Sequence, residues 1–241
     1  MPVPTLNGQK VVILGGTSGI GFAVAEGAAA EGATVVVASS TQAKVDAAVQ
    51  RLGGTASGAA VDVGDESAVA AFFAGLGAFD HLAFTAGDWG QRLMPAPFAE
   101  LDIDGVAEGL RVRFLGALRA IKHAQPHLSA TGSITLTDGL LAHRPMKGAP
   151  LVTAFAGATE HLVRGLAVDL APIRVNTVCP GLVLTEHLST WPAELIRHFT
   201  ERQPLPRAAD PAEAAQAYLY AMRAGYTTGQ VLIVDGGAML V

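Results

Sequence analysis

Short runs of aliphatic and β-branched residues recur along the chain at 11–14, 34–38, 82–85, 133–137, 173–178 and 231–234. They are predominantly apolar rather than strictly alternating, the pattern of strands buried on both faces. Between them lie alanine-rich stretches of helical character, among them 19–31, 41–52 and 149–170. Strand–helix alternation of this kind predicts a doubly wound parallel α/β sheet of Rossmann type. One late helix carries its own start signal, with Asp210 as N-cap, Pro211 at the first helical position and Glu213 in the capping-box place. No repeat or linker divides the chain, so 1–241 reads as a single domain. The one long irregular stretch, 182–209, holds Trp191-Pro192 and Pro204-Leu205-Pro206. It follows a strand's C-terminal end, where open α/β sheets bind ligands, and is expected to be a substrate loop.

Composition narrows the class. Half of the 241 residues are hydrophobic and 15% are charged, which suits one large core and a surface partly covered by further subunits. A net charge of −5 without a basic cluster argues against nucleic acid as a partner. The lone Cys179 leaves no internal disulfide and suits a reducing compartment. No apolar stretch reaches membrane-spanning length, and Met1-Pro2-Val3-Pro4 lacks the pattern of a signal peptide. The expectation is a soluble cytoplasmic protein.

The first apolar run leads directly into Gly15-Gly16-Thr17-Ser18-Gly19-Ile20-Gly21. A strand, a Gly-x-x-x-Gly-x-Gly turn and a helix aim backbone N–H groups and a helix N-terminus at a diphosphate. Gly15 permits the tight turn, Gly19 the approach of the ligand and Gly21 close helix–strand packing. A turn that merely packs is the alternative. After the second strand run come Ser39, Ser40 and Thr41, with Lys44 one turn on and no acid before Asp46. An acid there would grip ribose hydroxyls and repel a 2′-phosphate, so its lack favours NADP over NAD. Alternatively the hydroxyls only cap a helix.

Further segments follow in order: Val61-Asp62-Val63, Phe84-Thr85-Ala86-Gly87, Ala171-Pro172-Ile173-Arg174-Val175-Asn176, Pro180-Gly181-Leu182-Val183-Leu184-Thr185, and Thr228-Gly229-Gln230 leading to Asp235-Gly236-Gly237. With the glycine turn, they make the chain resemble the short-chain dehydrogenase/reductase family over nearly its whole length. The resemblance implies a cofactor site built from Gly15, Thr17, Ser18, Gly19 and Ile20, with Asp62 on the adenine amino group. Val63, Ala86, Gly87, Pro180, Gly181, Val183 and Thr185 would complete it, Val183 and Thr185 meeting the nicotinamide amide. Asp62 has a second reading as the cap of the helix near Glu66. The resemblance also implies a homo-oligomer, a tetramer or dimer paired through 105–125 and 149–169. The chain departs from the family pattern at Leu14, where the family has Thr, and at Phe84-Thr85, where it has Asn-Asn.

The larger departure concerns proton transfer. The family works through Tyr-x-x-x-Lys with a helper Ser and Asn, yet the only tyrosines are Tyr218, Tyr220 and Tyr226, and no lysine follows Lys147. Counting back from 166–172 puts Val152 at the Tyr position and Ala156 at the Lys position. The Ser position falls on Asp138 or Gly139, and the Asn position on Arg113. Val152 and Ala156 cannot transfer protons. Arg113 and Asp138 are expected within salt-bridge reach, as a working pair or as an inert plug. His143, near Arg144 and Lys147, is a surrogate acid or a solvated loop residue. His123 and His127 have helical spacing, but Pro126 intervenes, no third ligand follows, and no metal is expected. Cys179 reads as a packing residue. Trp89, Leu93, Met94 and the Trp191 loop suggest an apolar pocket. The functional expectation is an atypical NADP(H)-dependent oxidoreductase acting on a small apolar carbonyl or alcohol. A nonredox cyclase or isomerase and a catalytically inactive nucleotide-binding partner protein stay open.

Overall fold

A computed structural model of the chain describes residues 4–87, 95–186 and 188–241. The pocket candidates Trp89, Leu93 and Met94 lie outside the described residues. Strands β1 (Lys10–Leu14), β2 (Thr34–Ser39), β3 (Ser57–Ala60), β4 (Phe79–Phe84), β5 (Leu128–Thr137), β6 (Arg174–Pro180) and β7 (Val231–Val234) form one sheet. Its order is β3-β2-β1-β4-β5-β6-β7, and every pairing is parallel. The sequence runs mark six of these strands. β3 escapes them because Ser-Gly-Ala-Ala has no branched or aromatic residue, and as an edge strand it needs none.

Helices α1 (Gly19–Ala30), α2 (Gln42–Leu52) and α8 (Pro211–Arg223) cover one face of the sheet. Helices α3 (Glu66–Leu76), α5 (Gly116–Ala124) and α6 (Pro150–Asp169) cover the other. Each face encloses its own apolar cluster, one around Phe73, Leu82, Ile134 and Val163, the other around Ile13, Val24, Leu219 and Tyr218. A fully buried side chain of this size contributes about 1.5–3 kcal/mol. The result is a single Rossmann-type domain. Its strand order reverses between β1 and β4, which opens a crevice at their C-terminal ends.

Local chemistry sets the helix ends. Asp210 Oδ1 accepts from Ala212 N at 2.8 Å and Glu213 Oε2 from Asp210 N at 2.8 Å, completing the capping box anticipated for α8. At its other end, Arg174 donates to the carbonyls of Ala221, Met222 and Ala224. Helix α4 (Ile103–Leu110) passes through a π-helical turn, Arg111–Leu115, before α5 begins. The stretch 182–209 folds a small helix of its own, α7 (Ala193–Thr200), with the Trp191 ring tilted against that of Phe199 at 6.1 Å between centroids. Its ends are tied by a bridge between Val183 and Ala209.

Candidate active site

The turn after β1 is shaped by what presses on it. Gly15 has φ +89°, and a Cβ there would strike the Ala86 amide and Thr85 backbone of β4's exit. Gly21 sits against the Gly15 carbonyl and the Thr85 hydroxyl with no room for a side chain. Gly19 has φ +52°, and a Cβ there would come within 2.9 Å of Thr185 Cγ2. Thr17, Ser18 and Ile20 complete the turn and the first residues of α1. Ser18 stands at the N-cap but makes no side-chain capping bond. Instead the Gly19 N–H donates to Glu186 Oε2 at 2.8 Å. A carboxylate thus occupies the N-terminus of α1, where amides and helix dipole favour an anion. The Gly19 amide is therefore open to an anionic group, the chemistry a diphosphate would present.

On the opposite rim, Pro180 ends β6, and the Gly181 N–H donates to the Val234 carbonyl at 2.9 Å. Val183 is buried, and the Thr185 side chain crosses toward Gly19. Beyond β3, Asp62 Oδ1 accepts from Gly64 N at 2.8 Å, and Asp62 Oδ2 lies 3.8 Å from Arg111 Nη1. It does not cap α3; Asp65 does, accepting from Ser67 and Ala68. Val63 is buried and packs against Gly116. Ser39 closes β2, Ser40 and Lys44 are exposed, and Thr41 stands at the α2 N-cap without a side-chain bond. The Thr41 hydroxyl is therefore not spent on capping.

Deeper in, the π turn carries Arg113 toward the sheet, and its side chain lies across Gly87, which adjoins Ala86 at β4's exit. Burial pushes the Arg113 guanidinium down to about 10, with Tyr218 and Asp138 acting against that. Asp138 follows β5, its N–H bonded to the Val178 carbonyl at 2.8 Å, and is only 3% exposed. Neither of its carboxylate oxygens is in hydrogen-bonding geometry with a donor, and no Arg113–Asp138 ion pair forms. Asp138 turns instead toward α6, where its carboxyl lies against that of Glu160, 5% exposed. Burial first, then Glu160, push the Asp138 carboxyl up to about 8; the Gly139 backbone amide and, last, the Arg113 charge oppose this.

His143 Nε2 lies 2.5 Å from Glu160 Oε1, and Arg164 Nη2 lies 3.7 Å from Oε2. The structure therefore brings His143 and Asp138 together through Glu160, a residue the sequence reading passed over. The signal was present: Val152, Ala156 and Glu160 recur every fourth residue on α6 and share one face. Cys179, on β6 beside Asp138, is fully buried, and burial with the two carboxyls raises its thiol pKa, in keeping with a packing role. Donor atoms of Asp138, His143 and Cys179 all lie within 4.8 Å of one another. Elsewhere His123 pairs with Glu66 at 3.2 Å, and His127 sits in a separate 3-10 turn. Tyr218 belongs to the core on the α8 face, bonded to the Thr137 hydroxyl at 2.6 Å.

This sheet, with its cradle at the strand-order reversal, defines a Rossmann-type α/β protein. A family profile described as Enoyl-(Acyl carrier protein) reductase matches residues 15–239. The chain is 38% identical to the short-chain dehydrogenase/reductase ucsE of an Acremonium species, covering 98% of this chain and 97% of the relative. Among solved structures it is similar to the MalC reductase/Diels-Alderase of Malbranchea aurantiaca, with TM-score 0.88, 35% identity, and 98% and 96% of the two chains covered. It is also similar to a small-chain dehydrogenase solved in complex with NADPH, with TM-score 0.81, 34% identity, and 97% and 99% covered. The chain belongs to the short-chain dehydrogenase/reductase family.

Proposed function

We propose that the protein is an NADP(H)-dependent oxidoreductase of small apolar carbonyl or alcohol substrates, with Asp138 taking over proton transfer where Val152 and Ala156 replace the family's Tyr and Lys. The observation that carries this reading is the buried Asp138 carboxyl at the C-terminal edge of the sheet, held against Glu160 and so kept protonated near neutrality. The NADPH-bound relative supports the choice of cofactor, as do the uncapped hydroxyls and Lys44 beyond β2. Gly15, Gly19 and Ile20 would hold the diphosphate, Asp62 the adenine, and Ser39, Ser40 and Lys44 the 2′-phosphate. Pro180, Gly181, Val183 and Thr185 would orient the nicotinamide. The dinucleotide, when bound, supplies or accepts the hydride.

Asp138 donates its proton to the substrate oxygen, and Arg113, across Gly87, stabilises the negative charge developing there. The loop 182–209 closes over the substrate. An apolar groove of about 880 Å³ lined by Pro95, Pro97, Phe98, Pro145, Met146 and Pro150 supports an apolar substrate. No helix among the described residues is long and apolar enough to cross a membrane, and the single buried cysteine supports a cytoplasmic setting.

A second reading is a nonredox bond-forming activity in the same pocket with a static dinucleotide, favoured by the likeness to the MalC reductase/Diels-Alderase. NADPH oxidation across a panel of cyclic and aromatic carbonyls, with Asp138→Asn as control, separates the two. Turnover lost in Asp138→Asn supports the reductase. Saturable NADPH binding without consumption supports the second reading.

A further inference from the structure

We propose that Glu160 and His143 form a proton relay connecting the buried Asp138 carboxyl to solvent. The inference rests on the reductase reading given above and adds two residues to it. Asp138 is 3% exposed and Glu160 5%, and their carboxyls meet with no donor in hydrogen-bonding geometry to either Asp138 oxygen. Two carboxylates in contact in a site of low dielectric cannot both be ionised, so the pair holds a proton. Once Asp138 has given its proton away, another must reach it from outside.

Among the described residues the surroundings leave one way out. From β6, Cys179 is fully buried; from α8, Tyr218 is fully buried and engaged with Thr137. Asp235, beyond β7, accepts from the Gly237 and Met239 amides. Arg113, from the π turn, keeps its guanidinium protons under all ordinary conditions. Arg164, on α6, holds Glu160 Oε2 at 3.7 Å and likewise cannot pass a proton. The remaining described neighbour is His143, whose Nε2 lies 2.5 Å from Glu160 Oε1 but out of hydrogen-bonding alignment with it, and whose side chain is 28% exposed. An imidazole can take up a proton on one ring nitrogen and give one up from the other.

The balance is that of carbonyl reduction. The dinucleotide, when bound, would supply the hydride and its two electrons for the new C–H bond. The Asp138 O–H bond breaks as the substrate O–H bond forms, leaving Asp138 ionised. The pair's one proton has then left with the substrate; imidazolium His143 protonates Glu160, the proton moves on to Asp138, and water reprotonates His143. One hydride and one proton are consumed per carbonyl, and alcohol oxidation runs the sequence in reverse.

The test uses Glu160→Gln and His143→Asn in the full-length protein, with turnover and the infrared absorption of protonated carboxyls as separate readouts. At neutral pH the wild type should show a protonated-carboxyl band that disappears in Asp138→Asn. In Glu160→Gln the band should titrate away at lower pH, because the like charge that holds the proton is gone. His143→Asn should leave the band in place and lower kcat about 10- to 100-fold with little change in KM. Added imidazole should restore part of that loss, which a merely structural histidine would not allow. Should Glu160→Gln fail to fold, His143→Asn and its imidazole rescue decide alone. Turnover abolished in Asp138→Asn but unaffected in His143→Asn would overturn the relay while sparing the reductase reading. Full turnover in Asp138→Asn would overturn the reading itself. A stoichiometric divalent metal lost on Cys179→Ser would also overturn the relay, since a cation would then neutralise the carboxyls.

Discussion

Asp138 makes the stability of this protein depend on pH in an unusual direction. Its carboxyl is raised from the ordinary carboxyl range to about 8 in the folded state, chiefly by burial and then by Glu160. Between those two values the unfolded chain is ionised at this residue and the folded chain is not. The stabilisation is therefore complete below about pH 4 and is lost as pH rises through the folded value. Thermal melts should show the wild type losing stability between about pH 4 and 8, with Asp138→Asn flattening that decline. Reduction rates should likewise fall above about pH 8 as the acid ionises. Asp138 (or Gly139) and Arg113 were singled out by counting along the family resemblance, whereas their relation was not legible. Periodicity does not reveal that Arg113 lies across Gly87 while Asp138 turns to Glu160. A single Glu on an alanine-rich helix reads as solvated until the packing is known.

Among the secondary-structure elements, the best-specified boundary is the start of α8, where Asp210, Pro211 and Glu213 act through local bonds that need no tertiary context. Asp210→Ala should cost about 1 kcal/mol in chemical denaturation. The π turn at Arg111–Leu115 was illegible, because a widened helical turn has no composition of its own. β3 was illegible for the complementary reason, since its residues resemble a loop and only pairing with β2 makes them a strand. α1 presents a competition that sequence did not disclose. Glu186 holds the Gly19 amide that a diphosphate would use. Removing that charge in Glu186→Gln should tighten NADPH binding several-fold in calorimetry. Unchanged or weaker binding would show that the carboxylate does not compete at the cradle.

The whole molecule follows from the order of its apolar runs and glycine turns, which is why the doubly wound topology was readable before any contact was known. α6 points beyond the single chain. Of its 20 residues only Glu160 and Val163 are buried. Gly157 and Gly165 face open space, as a helix awaiting close approach by a second copy would arrange them. Light scattering should accordingly give a dimer or tetramer, and Gly165→Arg should reduce it; a monomer at micromolar concentration would contradict the expectation. The central claim is that a dinucleotide cradle has been kept while proton transfer has passed to Asp138. A crystal structure with NADPH bound tests it most directly. The account predicts a diphosphate on the Gly19 and Ile20 amides with Glu186 displaced, and the nicotinamide C4 facing a space bordered by Asp138 and Arg113. A dinucleotide absent from the cradle, or a C4 atom from which Asp138 is beyond the reach of one bridging water, would contradict it.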